Sequence, residues 1–179
     1  MIPWLGRGFA LGVLWGTIAR LFMRLLADTP EFSWPGTLGI LGVSGLMGAA
    51  LGLVRAARVG GRRRWWRLAP LPTLVLFASP GTLLLPGVVA TAAAARIPSA
   101  AVRWTVTAVG VGTTLGLATW LTWQDVSRLR PISAYLPGLS LMTLCALLAG
   151  LAWGEVFRNW SPAAGRAREA RPAAVAAAG

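Results

Sequence analysis

The sequence is poor in charge and contains neither histidine nor lysine. Of its 179 residues 12% are charged, with seventeen cations, all arginine, against five acids. Because a soluble domain carries about a quarter charged residues, a chain that is 56% hydrophobic is not an ordinary water-soluble fold. The absence of histidine excludes imidazole ligands and imidazole acid–base chemistry. The single cysteine, Cys145, excludes an intrachain disulfide and a multi-cysteine metal site. We therefore expect no metal and no cofactor.

The apolar residues fall into five segments, most of them near the roughly 20 residues that a helix needs to cross a bilayer. They predict an all-α integral membrane protein, with a transmembrane helical domain over 1–160 and a disordered basic tail over 161–179. The first segment is followed by no cleavage site of the signal-peptide type, so we expect it to be retained. The segments are 4–27, 34–54, 68–95, 104–123 and 135–157.

The third segment is too long for one untilted crossing, because its residues would make a helix of about 42 Å. Ser79-Pro80-Gly81 interrupts it and Pro86 follows, which predicts a kink or a re-entrant hairpin. Five crossings divide the arginines almost evenly between the two sides, whereas a re-entrant segment gathers most of them on one side, as short cytoplasmic loops require. Proline-kinked spanning helices are common, so both topologies stay open. In both of them the arginine-rich loop over 55–67 is cytoplasmic.

Four charges lie where the first segment ends, namely Arg20, Arg24, Asp28 and Glu31. One interpretation is an interfacial collar, in which the arginine side chains reach the lipid headgroups and Trp34 anchors the next helix. The other interpretation is a functional site. It starts from the depth of Arg20 in the membrane, because Arg20 lies roughly 12 Å along the helix from Asp28. An arginine below the headgroups needs an acidic partner.

The topology decides which acid the arginine pair can reach. Five crossings place Arg20 or Arg24 on the same face as Glu155, whereas a re-entrant third segment places them near Asp125. If these groups form a site, the acids act as general acid or base and the arginines bind an anionic head. The candidate catalytic residues are then Asp28, Glu31, Asp125 and Glu155, and the candidate substrate-binding residues are Arg20, Arg24, Trp15 and Trp153.

The same stretch carries a resemblance to a protein family. The pattern Arg20-x-x-x-Arg24-Leu25, followed by Pro30-Glu31-Phe32-Ser33-Trp34 and Gly36-Thr37, resembles a motif of small multi-pass bacterial membrane proteins of uncharacterised activity. The resemblance implies a location in the bacterial inner membrane and a role for the motif beyond a collar. It implies no activity, substrate or cofactor.

Tryptophan and arginine indicate where the chain meets the lipid surface. Trp65 and Trp66 lie within the basic loop over 55–67, and a loop between two spans favours anionic headgroups over nucleic acid as its partner. Seven of the ten tryptophans stand at segment ends and predict an aromatic belt. Three lie further inside and either pack between helices or line a cavity for a lipid or isoprenoid tail, namely Trp15, Trp120 and Trp153.

Small residues repeat along two of the segments. Small residues at helical spacing let two helices approach closely, and such a face packs within the chain or forms a homo-oligomer. The residues are Gly42, Gly45, Ala49 and Gly52 on the second segment, and Ala146, Gly150 and Gly154 on the fifth.

Two functions are consistent with the sequence. The first, which we favour, is a non-enzymatic membrane module such as a scaffold, a transport component or a partner subunit. The second is a small membrane-embedded enzyme that acts on a lipid or isoprenoid. An aqueous pocket joining these charges to Trp15 or Trp153 would favour the enzyme, whereas four acids dispersed singly in headgroup water would favour the module.

Overall fold

The computed structural model describes residues 2–27, 32–125, 134–158 and 160, with the backbone alone at 79–80 and 122–125. Within these ranges the regular structure is helical and contains no strand, which confirms the predicted all-helical class. Three short 3₁₀ helices precede the shortest α-helix, at Arg64–Leu68, Leu71–Phe77 and Ser79–Leu84. The α-helices are α1 (Ile2–Leu26), α2 (Trp34–Val59), α3 (Leu85–Ala94), α4 (Ala100–Asp125) and α5 (Leu136–Phe157).

Three of these helices, α1, α2 and α5, are long and apolar enough to cross a membrane. The segment over 104–123, predicted as a clear span, forms α4, which has 26 residues but is not among the three. Threonine and glycine lower its hydropathy. Thr105 and Thr113 each donate a hydroxyl hydrogen bond to the carbonyl oxygen four residues earlier, at 3.0 and 2.9 Å, so these polar groups are paired within the helix. The basic tail over 161–179 lies outside the described residues.

Helices α1 and α2 form an antiparallel hairpin whose backbones touch. A Cβ atom at Gly12 would clash with the carbonyl oxygen of Ser44, and one at Gly48 would clash with that of Gly8. Gly42, predicted to lie on this face, has no heavy atom within 4 Å of the position its Cβ would take. Gly48 lies there instead, because residues 44, 48 and 52 repeat every fourth position and match the same repeat at residues 8, 12 and 16.

The third apolar segment is broken where the sequence predicts it. Ala78 is extended, with φ −76° and ψ 149°, and separates two 3₁₀ helices. A Cβ atom at Gly81 would clash with the carbonyl oxygen of Leu76, so the chain can fold back closely here because residue 81 is glycine. The remaining helix, α3, has 10 residues and is therefore about 15 Å long, half the thickness of a bilayer core.

The third segment also begins and ends at the same end of the bundle. Helix α3 runs parallel to α5, since Gly87 lies against Ala146 and Gly154 lies against Ala95. Arg67, before the segment, and Arg96, after it, both bond to the last carbonyl groups of α5. We call this end of the bundle the arginine end. It is formed by the starts of α1 and α4, the ends of α2, α3 and α5, and the 3₁₀ helix Arg64–Leu68, since α4 runs antiparallel to α3 with Gly110 against Ala90 and Thr114 against Gly87.

Candidate functional site

Glu155 lies in the last turn of α5 and is 8% exposed. Its carboxylate accepts a hydrogen bond from Nη2 of Arg58, near the end of α2, and pairs with Nη1 of Arg158 at 3.1 Å. Hydrogen bonds between ionised groups are about twice as strong as neutral ones. The carboxylate therefore ties the end of α2 to the end of α5.

Arginine side chains from the connections also close the end of α5. The last carbonyl groups of a helix have no partner within it. Here Phe157 O accepts from Nε of Arg96 at 2.7 Å, and Arg158 O accepts from Nη2 of Arg67 at 2.8 Å. Burial, together with repulsion from Arg64 and Arg96, lowers the pKa of Arg67 below its ordinary value. The arginine end thus holds many like charges together around the end of one helix.

Trp160 fastens the chain that follows α5 to the same end. Its side chain is buried, its indole Nε1 donates to the carbonyl oxygen of Arg62 at 2.5 Å, and the guanidinium of Arg67 lies 5.3 Å from its ring centroid. Cation–π contacts of this kind add about 0.5–1 kcal/mol at exposed sites and more where water is excluded. Trp160 therefore packs against the arginine loop and is covered by it.

A groove with a volume of about 400 Å³ lies between α1, α2 and α5. At the arginine end its walls carry Arg7, Arg55 and Glu155, and at the other end they carry Trp15 and Ile18. Between these ends the lining is almost wholly apolar. The glycines of the α1–α2 contact also line it, and since they have no side chains they leave room for it.

The two groove arginines differ from Arg58 in having no acidic partner among the described residues. The guanidinium of Arg55 lies 5.0 Å from the ring centroid of Trp4, which also lines the groove. Arg7 is exposed and has no hydrogen bond or ion pair in the described part of the chain. Glu155 is paired with Arg58 and Arg158. The end of the groove that carries Arg7 and Arg55, which we call its mouth, therefore has excess positive charge.

At the opposite end of the bundle, the residues of the sequence motif join α1 to α2. Arg20 Nε donates to Thr37 Oγ1 at 3.2 Å, and that hydroxyl donates to Ser33 O at 2.9 Å. Ser33 Oγ in turn accepts from the backbone N–H of Gly36 and caps α2. The contact of Arg20 therefore runs through one hydroxyl group, that of Thr37, to the carbonyl oxygen of Ser33, the residue that caps the next helix.

Arg24 makes a second connection across the same corner. Its guanidinium lies 5.4 Å from the ring centroid of Phe32, and that ring meets Trp34 edge to face with centroids 4.9 Å apart. Arg24 and Trp34 are exposed, as an interfacial collar requires. The described residues of the motif thus hold the α1–α2 corner.

The structure does not bring Glu155 together with Arg20 or Arg24. Glu155 pairs at the arginine end, whereas the two arginines lie near the far end of α1. The pairing expected for five crossings is therefore not formed, because the third segment returns to the end at which it began. Asp28 and Glu31 lie outside the described residues, and Asp125 is described only by its backbone at the end of α4. Their roles stay predictions.

The three inner tryptophans have separate environments. Trp15 lines the groove and donates its indole N–H to the carbonyl oxygen of Cys145 at 2.9 Å. Trp153 is 7% exposed, is not part of the groove wall, and its indole N–H has no partner among the described residues. Trp120 is 56% exposed on α4. Of these three tryptophans, Trp15 alone lines the groove that extends to the arginine end.

Sequence reasoning missed the groove arginines and the partners of Glu155. It treated Arg55 and Arg58 as one block of loop charge, yet both belong to α2, which continues five residues beyond the predicted span. The re-entrant topology would have predicted these partners, because it places Glu155 on the same side of the membrane as the arginine loop. Arg7 and Arg158 could be placed there by the same argument.

No known protein family, curated protein or solved structure matches this chain.

Proposed function

We propose that this chain is a multi-pass protein of the bacterial inner membrane, with its arginine end in the cytoplasm, and that it acts as a non-enzymatic membrane module. Such a module could be a scaffold, a transport component or a partner subunit. The observation that carries the proposal is the separation of apolar and charged surface along the bundle.

Large apolar side chains point outward from the middle of the helices. Leu14 on α1, Leu46 on α2 and Leu151 on α5 are 57%, 59% and 65% exposed. Such side chains would face water at a high cost if the bundle were soluble, whereas acyl chains solvate them without loss. The described arginines gather instead at one end, with Arg20 and Arg24 as the exceptions. This distribution supports a bundle that is surrounded by lipid.

The arginine end supports the proposed orientation and the proposed lipid partner. Arg63, Arg64 and Trp65 are exposed there. Arginine in short loops favours the cytoplasmic side, where anionic headgroups attract each cation by about 1 kcal/mol. Indole rings favour the same headgroup level. We therefore propose anionic headgroups, and not nucleic acid, as the partner of the 55–67 loop.

The engagement of Glu155 supports a module in preference to an enzyme. It is the one acid whose side chain the structure describes, and both of its oxygens pair with arginine in contacts that join helix ends. A homo-oligomer remains a prediction. The small-residue faces proposed for it include Gly45, Gly52 and Gly150, and each of these has neighbours within the chain.

An enzyme that acts on a lipid or isoprenoid is the second candidate. One observation favours it, because the groove joins Glu155 to Trp15, although its lining is almost wholly apolar and the sequence criterion was an aqueous pocket. In that case Glu155 would have to leave an arginine partner to exchange a proton. Purified protein in proteoliposomes of total bacterial lipid, compared with Glu155→Gln by mass spectrometry of the lipids, tests this candidate. A lipid converted by the native chain and not by the variant would support the enzyme and contradict the module.

Extraction from membranes tests the membrane assignment itself. We expect the expressed chain to stay in the membrane pellet after alkaline carbonate washing and to need detergent for release, since carbonate removes peripheral proteins held by charge. A monodisperse protein in buffer without detergent would contradict the proposal. The charge-reduced variant Arg63→Ala/Arg64→Ala is the control, and it should remain in the pellet if the helices, and not the basic loop, hold the protein there.

A further inference from the structure

We propose that the groove between α1, α2 and α5 binds one anionic phospholipid, with an acyl chain along the groove and the phosphate between Arg7 and Arg55. This inference depends on the proposed membrane location and adds a specific site to it. The general attraction of headgroups to the 55–67 loop needs no groove, so the two can be separated by experiment.

The distance from Arg7 to the inner end of the groove fits one leaflet, while the groove wall itself begins one turn earlier, at Trp4. From Arg7 to Ile18 the groove follows α1 for eleven residues, which is about 16 Å at 1.5 Å per residue. A hydrocarbon core is about 30 Å thick, so this distance is close to one half of the bilayer. An acyl chain that enters beside Arg7 would therefore end near the middle of the bundle, where Trp15 and Ile18 close the groove.

The volume and lining also fit an acyl chain. About 400 Å³ falls in the range of roughly 300–1,000 Å³ that is typical of small-molecule pockets. The walls below the charged end are made by apolar side chains and by glycine, and the glycines let the groove pass close to the backbones of α1 and α2. An apolar chain would bury this surface, whereas a water-soluble anion would leave most of it uncovered.

The charge at the mouth selects an anionic headgroup. Arg7 and Arg55 are exposed and have no acidic partner among the described residues, while Glu155 is already paired with Arg58 and Arg158. Trp4 holds the Arg55 guanidinium at the groove wall through a contact of 5.0 Å. Guanidinium groups bind phosphate oxygens with two parallel hydrogen bonds, so two arginines at the headgroup level form a suitable phosphate site.

Thermal unfolding in a neutral detergent tests the site with three probes. The probes are dioleoyl phosphatidylglycerol, dioleoyl phosphatidylcholine with the same chains, and glycerol phosphate, which has the anionic head alone. A ligand that binds the folded state raises the unfolding midpoint. We expect phosphatidylglycerol to raise it most, phosphatidylcholine to raise it less, and glycerol phosphate to leave it unchanged. Equal effects of phosphatidylglycerol and glycerol phosphate would overturn the role of the acyl chain.

Paired variants separate the groove from general charge. Arg7→Ala/Arg55→Ala should weaken phosphatidylglycerol binding by about thirtyfold, because two contacts of about 1 kcal/mol each are lost. It should also lower the smaller response to phosphatidylcholine, which carries the same phosphate, and the responses that remain should be similar for the two lipids. Arg63→Ala/Arg64→Ala removes the same charge from the arginine end outside the groove and should keep most of the response. An equal loss in both double variants would overturn the site.

Filling the groove tests the position of the acyl chain. Ala152→Phe places a ring in the groove and should abolish the response to both lipids, whereas Ala108→Phe, on the exposed face of α4, should not. Leu11→Trp fills the groove from its exposed side and replaces Ala152→Phe if that variant does not fold. Native mass spectrometry gives the second measurement, with one phosphatidylglycerol retained by the native chain and none by the filled variant. Full retention by a folded, filled variant would overturn the inference while leaving the membrane assignment intact.

Discussion

The guanidinium of Arg58 donates a hydrogen bond to the carboxylate of Glu155, although 97 residues separate them in the chain. Arg58 lies near the end of α2 and Glu155 near the end of α5, so these two helices end on the same side of the bundle. Between them the chain makes α4 and the broken third segment. Because α4 runs from the arginine end to the opposite end, the third segment must return to the end at which it began.

The Arg58–Glu155 pair should contribute to stability through a coupling between the two side chains. Glu155→Gln should lower the free energy of unfolding by about 1–3 kcal/mol, because it leaves the partly buried Arg58 without an acidic partner. Arg58→Gln should cost less, because Glu155 keeps its pair with Arg158. The double variant should cost less than the sum of the two. Unfolding of the detergent-solubilised protein measures all three, with Arg63→Gln as an exposed control. Strict additivity would show that the pair contributes nothing.

A methyl group should destabilise the protein at a glycine inside the α1–α2 contact and not at a glycine outside it. Gly12→Ala should destabilise the protein by about 1–3 kcal/mol, since its Cβ would meet the backbone of Ser44. Gly42→Ala on α2 has open space and should be neutral or stabilising by up to about 1 kcal/mol, because alanine favours the helix. Thermal midpoints of the two variants compare them directly. Similar midpoints would contradict the close approach of the two helices.

The hydrogen bond from Arg20 to Thr37 should account for most of the stability that is lost when Arg20 is replaced. Arg20→Ala and Thr37→Val should each cost about 1 kcal/mol of stability, and the double variant should cost no more than the larger single change. If Arg20 instead belongs to a functional cluster, Arg20→Ala and Glu31→Ala should both lower activity at normal membrane levels while Thr37→Val does not. Unfolding midpoints test the first case, and lipid conversion in proteoliposomes, compared at equal membrane levels, tests the second.

The length of the apolar runs was sufficient to predict α1, α2 and α5 as long apolar helices. The break near Ser79-Pro80-Gly81 was also predictable, because proline and glycine act locally on the backbone whatever surrounds them. The sequence was less able to predict which faces of the helices pack together. Gly42 and Gly48 both fit a small-residue stripe, and only the partner helix, with its own repeat at residues 8, 12 and 16, selects Gly48.

The candidate site was harder to predict than the fold, because charge partners depend on topology. The depth of Arg20 predicted an acidic partner, yet its described contact is the hydroxyl group of Thr37, and that of Arg24 is the ring of Phe32. Glu155 was recognised as a candidate, but its partners could not be chosen while two topologies were open. The groove could not be predicted at all, since it results from missing side chains on two helices that meet only in the folded bundle.

Cysteine accessibility on the two sides of the third segment tests the central claim most directly. In a Cys145→Ala background, Arg63→Cys and Ser99→Cys flank that segment, and Ala134→Cys marks the opposite end of the bundle. We expect a membrane-impermeant maleimide to label residues 63 and 99 only from the cytoplasmic side, in inverted vesicles, and to label residue 134 only from the outer side, in intact spheroplasts. Labelling of residues 63 and 99 from opposite sides would contradict the returning third segment.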